Sequence, residues 1–252
     1  MTLGTSGNDP LGDRMKRYEH VSRIYLPRRT YTLIRVDGRA FHSFTRGMAR
    51  PYDARLARSI DWVGKVLCTQ IAGARLAFCQ SDEVSVLLTD FQAINTEPFF
   101  SGNLQKICST ASALATGAFL SRYPEYAGVE DFPTFDARVW TIPDPVEVEN
   151  YFIWRQQDAT RNSISMLGQA HFSQRELHKV STAEIQDKLM AEKGINWNDT
   201  PAGFKRGRTV VRLPHTIEID GVEVSRNMWE VQEPPVFTQE REYLSSLIPR
   251  YE

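Results

Sequence analysis

Two hydrophobic rhythms alternate along the first 142 residues. "TYTLIRVD" (30–37) is β-branched and apolar, the pattern of a buried strand. Leu56, Ile60, Val63, Leu67 and Ile71 then fall on one stripe, so the spacing predicts a helix capped by Asp53 and running to about residue 72. "ARLAFCQ" (74–80) and "EVSVLLTDF" (83–91) read as two strands, which puts Ser81 and Asp82 in a hairpin turn. A second helix follows, with Ser101 as its cap and Leu104, Ile107, Cys108, Ala111, Leu114, Ala115, Ala118 and Phe119 on one face; Pro124 comes after its end. "TFDARVWTI" (134–142) is a fourth strand.

The order strand, helix, strand, strand, helix, strand is the split βαβ arrangement of ferredoxin-like folds. The expected class is therefore α+β, an antiparallel sheet with helices on one face. Right-handed crossovers set the first and third strands side by side and antiparallel at the centre. Asp37 then ends one strand beside the place where Asp82 begins the other. Residues 143–252 read as an extension packed on the 1–142 unit, since no linker separates the two. It contains a long helix (144–170), another near 181–193, a strand "RGRTVVRL" (206–213), a hairpin turning at Asp220–Gly221 and a short helix near 238–248.

The total charge changes little in this picture, but its distribution does. The 252 residues carry a net charge of −1, yet residues 14–58 hold twelve Lys/Arg against three acids, and residues 217–252 hold eight acids against three Arg. That asymmetry is either ordinary surface scatter or a basic face for phosphates whose charge an acidic tail hides from the total. The N-terminus has no apolar core, no window is apolar enough for a membrane helix, and the three cysteines show no CxxC spacing, so a reducing cytoplasm is the expected setting.

The candidate chemistry sits at the Asp37–Asp82 junction. Paired carboxylates repel unless a cation lies between them, and Mg²⁺ suits carboxylate, carbonyl and phosphate oxygens. A single acid at a strand end is also a common turn former. After Asp37, Gly38 permits close approach to a ligand, a following helix would aim N–H groups at a phosphate, and Arg39 and His42 add polar groups. Phe41 and Phe44 suit either core or stacking. In the long helix, Arg155, Asp158 and Asn162 share a row beside Gln157 and Arg161, along with Tyr151 and Trp154. This is either a solvated face or the lining of a nucleotide or RNA channel. Lys205, Arg206 and Arg208 form a second basic group, and Trp197 suits a base or a core equally.

"RVDGRAFHSFT", "ARPYDARL", "FCQSDEVSVLL", "FDARVW", "YFIWRQQDATRNSI", "EKGINWND" and "FKRGR" together resemble the tRNA-histidine guanylyltransferase superfamily, the 3′-to-5′ polymerases, in family order across about 31–208. The resemblance implies a polymerase-like palm, two Mg²⁺ ions, ATP and GTP or another NTP as substrates, tRNA as partner, and a tetramer. It implies that Asp37, Asp82 and the Gly38 carbonyl bind metal and that Glu83 is an acid beside them. Residues Asp37, Gly38, Arg39, Ala40, Phe41 and His42, with Ser81 and Asp82, would hold the incoming nucleotide, and Arg50 would lie near a second, activating triphosphate. The implied reaction activates a 5′-monophosphate with ATP or GTP, after which the 3′-hydroxyl of an incoming nucleotide attacks. Thr160 stands where histidine-specific members carry the histidine of a His-Ile-Asn-Asn stretch, so the sequence looks like the broader guanylyltransferase-like group and its template-directed 5′ repair enzymes. A nucleotidyl cyclase-like enzyme and a non-catalytic RNA-binding module of the same fold remain as alternatives. Arg155, Asp158, Arg161, Asn162, Lys205, Arg206 and Arg208 are the expected RNA-facing residues.

Overall fold

In the computed structural model, which describes residues 9–126, 128–219 and 222–251, one six-stranded antiparallel sheet organises the chain. The elements in order are α1 (Pro10–His20), β1 (Tyr31–Arg39), α2 (Phe41–Phe44), α3 (Ala54–Gln70), β2 (Ala74–Gln80), β3 (Glu83–Leu88), α4 (Leu104–Leu120), β4 (Thr134–Ile142), α5 (Pro145–His171), α6 (Thr182–Lys193), α7 (Ala202–Arg206), β5 (Arg208–Ile219), β6 (Val222–Gln232) and α8 (Arg241–Leu247). The sheet order is β4-β1-β3-β2-β5-β6, so β1 and β3 are the central antiparallel neighbours that the split βαβ pattern predicts.

Every residue of β3, "EVSVLL", is buried, because layers cover both faces of the sheet; the polar Glu83 and Ser85 lie on the face toward α5. On one face Ile34, Val36, Val84 and Val86 pack against Ile60, Val63 and Leu67 of α3 and Ile107, Ala111 and Phe119 of α4. On the other, Leu33, Leu76, Phe78 and Leu87 pack against Val148, Tyr151 and Phe152 of α5 and Leu244 of α8. The sheet runs past residue 142, because β5 pairs with β2 through Ala77↔Val210 and Phe78↔Thr209. A smaller core under α6 joins Ile164, Leu167, Ile185, Leu189 and Trp197.

Asp53 caps α3, its Oδ1 accepting from the Leu56 N–H at 2.8 Å. Ser181 and Glu184 form a reciprocal capping box at α6. The expected Ser101 cap of α4 is corrected. Ser101 lies in a tight turn at φ 53°, and Asn103 Oδ1 accepts the N–H of Lys106 instead, at 3.0 Å. The β5–β6 pairing is longer than the sequence suggested, reaching from Thr209↔Gln232 to Ile219↔Val222; the expected Asp220–Gly221 turn lies outside the described residues. Helix α1 was not anticipated, and it buries none of its residues.

Candidate active site

The topology delivers two acids to one end of the sheet. β1 carries Asp37 upward, and β3 starts immediately after the two-residue Ser81–Asp82 turn that leaves β2. Asp37 pairs in register with Glu83, and the Gly38 N–H donates to the Asp82 carbonyl at 3.0 Å, so the acid-bearing segments are locked together by backbone. Two non-glycine residues beside the acids, Ala40 (φ 57°) and Ser81 (φ 44°), hold left-handed conformations, the kind of stored strain that accumulates at functional sites. Gly38 is needed for a different reason than backbone freedom. Its φ is not left-handed, but a Cβ there would collide with the Phe41 ring. Phe41 is core, packed with Phe44, Phe119 and Phe135, and this network anchors the short α2. With only four residues and no side-chain cap, α2 adds little helix dipole.

The adjacent acids differ in their surroundings. Burial pushes the Asp82 carboxyl up to about 6; the negative charges of Asp37 and Glu83 add to the rise, against a hydrogen bond from Ser81. Burial also raises Asp37, with Arg35 opposing the shift and Asp136 adding to it. Asp136 is the cross-strand neighbour of Asp37 on β4. Glu83 instead meets a fork of donors: Arg155 Nε to Oε1 at 2.9 Å and Nη2 to Oε2 at 2.6 Å, with the Arg35 guanidinium 3.9 Å away.

Beside Asp82 opens a cleft of about 420 Å³, walled by the α2–α3 segment, the Ser81–Asp82 turn and the last turns of α5. His42, Arg46 and Arg50 line it from one side, Met166 and Gln169 from the other. Arg46 and Arg50 are exposed and form no side-chain hydrogen bond or ion pair among the described residues. Its volume suits a small molecule of nucleotide size. Arg39 lies at the exposed end of β1 and is not part of its wall.

The helical residues fall into two groups. Arg155 is 5% exposed and committed to Glu83 and Asp158, which corrects its assignment as an RNA-facing cation. Asp158 also takes Arg161 at 2.8 Å and Asn162 at 3.3 Å, and these two remain at the surface. Lys205 and Arg208 are likewise corrected. Lys205 is buried, donating to the Asn198 carbonyl at 2.6 Å above the Trp197 ring, and Arg208 is buried between Asp61 and the Gly203 carbonyl. Arg206 stays partly exposed. Trp197 is core, its indole N–H donating to Ser163 Oγ at 3.0 Å. Sequence reasoning missed Arg35, Asp136 and Arg138. Their signal was the i, i+2 spacing of Arg35 with Asp37 and of Asp136 with Arg138, which puts all four on one sheet face.

Paired acids on a palm-like sheet beside an arginine-lined cleft define a nucleotidyltransferase type of site. A model of the family described as "Thg1: tRNAHis guanylyltransferase" matches residues 12–143, just over half of the chain. The chain belongs to the tRNAHis guanylyltransferase family. The tRNA(His) guanylyltransferase of Schizosaccharomyces pombe is 28% identical to it, over 79% of each chain. Among solved structures, a bacterial tRNA(His) guanylyltransferase-like protein in complex with ATP superposes with a TM-score of 0.84 at 42% identity, covering 95% of this chain and 99% of that one. A bacterial protein so described in complex with GTP gives 0.82 at 40% identity, with the same coverage. The Saccharomyces cerevisiae enzyme shares the fold at 21% identity, with a TM-score of 0.68. No helix among the described residues is long and apolar enough to cross a membrane.

Proposed function

We propose that this nucleotidyltransferase extends the 5′ end of tRNA in the 3′-to-5′ direction, with Asp37 and Asp82 as its metal-binding carboxylates and the cleft from His42 to Arg50 as its nucleotide site. One observation carries the reading: two partly buried, insufficiently compensated carboxylates at adjoining strand ends, next to a cleft whose arginines form no ion pair among the described residues. The donor set fits magnesium. It offers hard oxygen ligands from two carboxylates and the Gly38 carbonyl, while among the described residues no group of three or more His, Cys, Asp or Glu side chains is arranged to hold a metal by itself. Mg²⁺ commonly takes few protein ligands and completes its shell with water and substrate phosphates. When bound, it supplies charge neutralisation at the reacting phosphoryl group.

The chain's own groups would do the rest. Arg46 and Arg50 hold triphosphate oxygens by charge, Ser81 lies beside Asp82 at the cleft floor, and the aromatic cluster beneath α2 fixes the wall. ATP and GTP in the solved bacterial relatives support both nucleotides as substrates. Thr160 Oγ1 donates to the Gln156 carbonyl of its own helix at 3.0 Å, so it offers no imidazole to a tRNA. This supports repair of 5′-truncated tRNAs over obligatory recognition of histidine tRNA. The resemblance also implies a tetramer, and the apolar residues Leu11, Met15 and Tyr18 exposed on α1 support association between copies.

The test is a tRNA lacking its first nucleotide and bearing a 5′-monophosphate, supplied with ATP, labelled NTPs and Mg²⁺. Growth by the complementary nucleotide is expected. Cyclic nucleotide formed without RNA, or RNA retained without product, would replace this reading with a cyclase or a binding module.

A further inference from the structure

The acids have a second approach, on the side away from the nucleotide cleft. β4 is the edge strand of the sheet, with no further strand paired to it among the described residues. On the face toward α5 the sheet presents two rows. Asp37 lies beside Asp136, and one step back along the strands Arg35 lies beside Arg138. Successive same-face positions are roughly 6.6 Å apart. Arg138 is exposed and makes no side-chain hydrogen bond or ion pair among the described residues. Arg35 Nε is buried without a hydrogen bond and faces Glu83 at 3.9 Å.

On α5, next to Tyr151, Trp154 is a large aromatic side chain left 47% exposed. The Arg155 guanidinium lies over its ring, 4.4 Å from the centroid, and Tyr151 lies 5.9 Å away and in contact with Trp140 of β4. Arg155 is in turn clamped by Glu83, so the indole is held rigid on one side and open elsewhere. Burying this residue would have been simple on a helix that already buries Tyr151, Phe152 and Ile153. A fixed indole beside the exposed Arg138 guanidinium is the chemistry that binds a nucleic-acid base together with its phosphate.

We propose that the face between β4 and α5 receives the 5′-terminal nucleotide of the RNA, its base stacked on Trp154 and its phosphate held by Arg138. The two substrates then meet the acids from opposite sides: the triphosphate from the α2–α3 cleft, the RNA end across β4. The open edge favours RNA over a second free nucleotide, because a helical acceptor stem needs unobstructed space. The inference rests on the proposed function and deepens it.

Steady-state kinetics of the full chain test it, with a 5′-triphosphorylated tRNA lacking its first nucleotide, RNA and NTP being varied separately. Trp154→Ala and Arg138→Ala should each raise the RNA KM by roughly tenfold, the scale of one lost base–aromatic contact, with the NTP KM unchanged within about twofold. Trp154→Phe should recover most of the loss, and Arg138→Ala should flatten the salt dependence of RNA binding by about one unit of log–log slope. Folded variants with an unchanged RNA KM, or with the change confined to the NTP KM, would overturn the assignment. Against loss of folding, the parent protein is irradiated with tRNA carrying 4-thiouridine at its 5′ end. An adduct on the peptide holding Trp154 or Arg138 is expected, and one on residues 42–50 or 208–232 overturns the assignment. If Asp82→Asn abolishes addition while the RNA KM ignores Trp154, the RNA site fails and the metal assignment stands.

Discussion

Asp82 and Glu83 are neighbours in the chain and occupy opposite sides of one sheet edge. On the α5 side, Glu83 is received by the fork of Arg155, with Arg35, Gln80 and Ser85 around it. On the cleft side, Asp82 is largely buried with no cation against it among the described residues, and its proton is held up to about 6. One side is electrostatically finished and the other waits for positive charge. A carboxylate's place in a motif therefore says less about its role than what already neutralises it.

The largest expected effect breaks the unfinished side. Asp82→Asn or Asp37→Asn should lower the rate of nucleotide addition on the order of a thousandfold, several kcal/mol of lost charge stabilisation, while thermal unfolding stays cooperative. Single-turnover addition to a 5′-triphosphorylated RNA measures this without the activation step.

Breaking the finished side should do the reverse. Glu83→Ala leaves the Arg155 charge buried against Asp158 alone, and should cost about 3 kcal/mol in urea unfolding. Replacing both partners, Glu83→Gln with Arg155→Met, should recover most of that loss. A Glu83→Ala protein with unchanged stability would remove the contrast.

A smaller effect is a pH dependence with a definite sign. Asp82 titrates near 6 in the fold and near 3.8 when unfolded, so its ionisation opposes folding. In the absence of divalent ions this penalty is missing below about pH 4, grows as pH rises through 4 to 6, and is complete above. Asp82→Asn should thus be more stable than the parent by about 2 kcal/mol at pH 7.5, after allowing for solvent screening, and the gap should close toward pH 4.5. Paired urea titrations across that range read it directly.

Much of the fold was legible because its signals are local. β2 and β4 match their sequence patterns, and α5 lies within a residue of its expected span, since alternation, periodicity and the Asp144–Pro145 start are all short-range. The Asp37–Asp82 meeting was legible from topology. What the sequence left open was decided by partners distant in the chain. Arg155 and Arg208 look like phosphate ligands until Glu83 and Asp61, 72 and 147 residues away, are seen to hold them. Lys205 is taken by a nearby backbone carbonyl, which composition does not register. Arg138 drew no attention because free and bonded arginines are identical as letters. Helix α1 was missed because its few apolar residues, Leu11, Met15 and Tyr18, stand among charged ones and cover no core.

The most direct measurement follows the Asp82 side-chain carboxyl by carbon NMR, assigned by its loss in Asp82→Asn, with and without Mg²⁺ and a non-hydrolysable GTP analogue. The account predicts a midpoint of about 6 in the metal-free protein, falling below about 4 once Mg²⁺ and nucleotide are bound. A midpoint that does not move would contradict it, for then no cation comes to rest against that carboxylate.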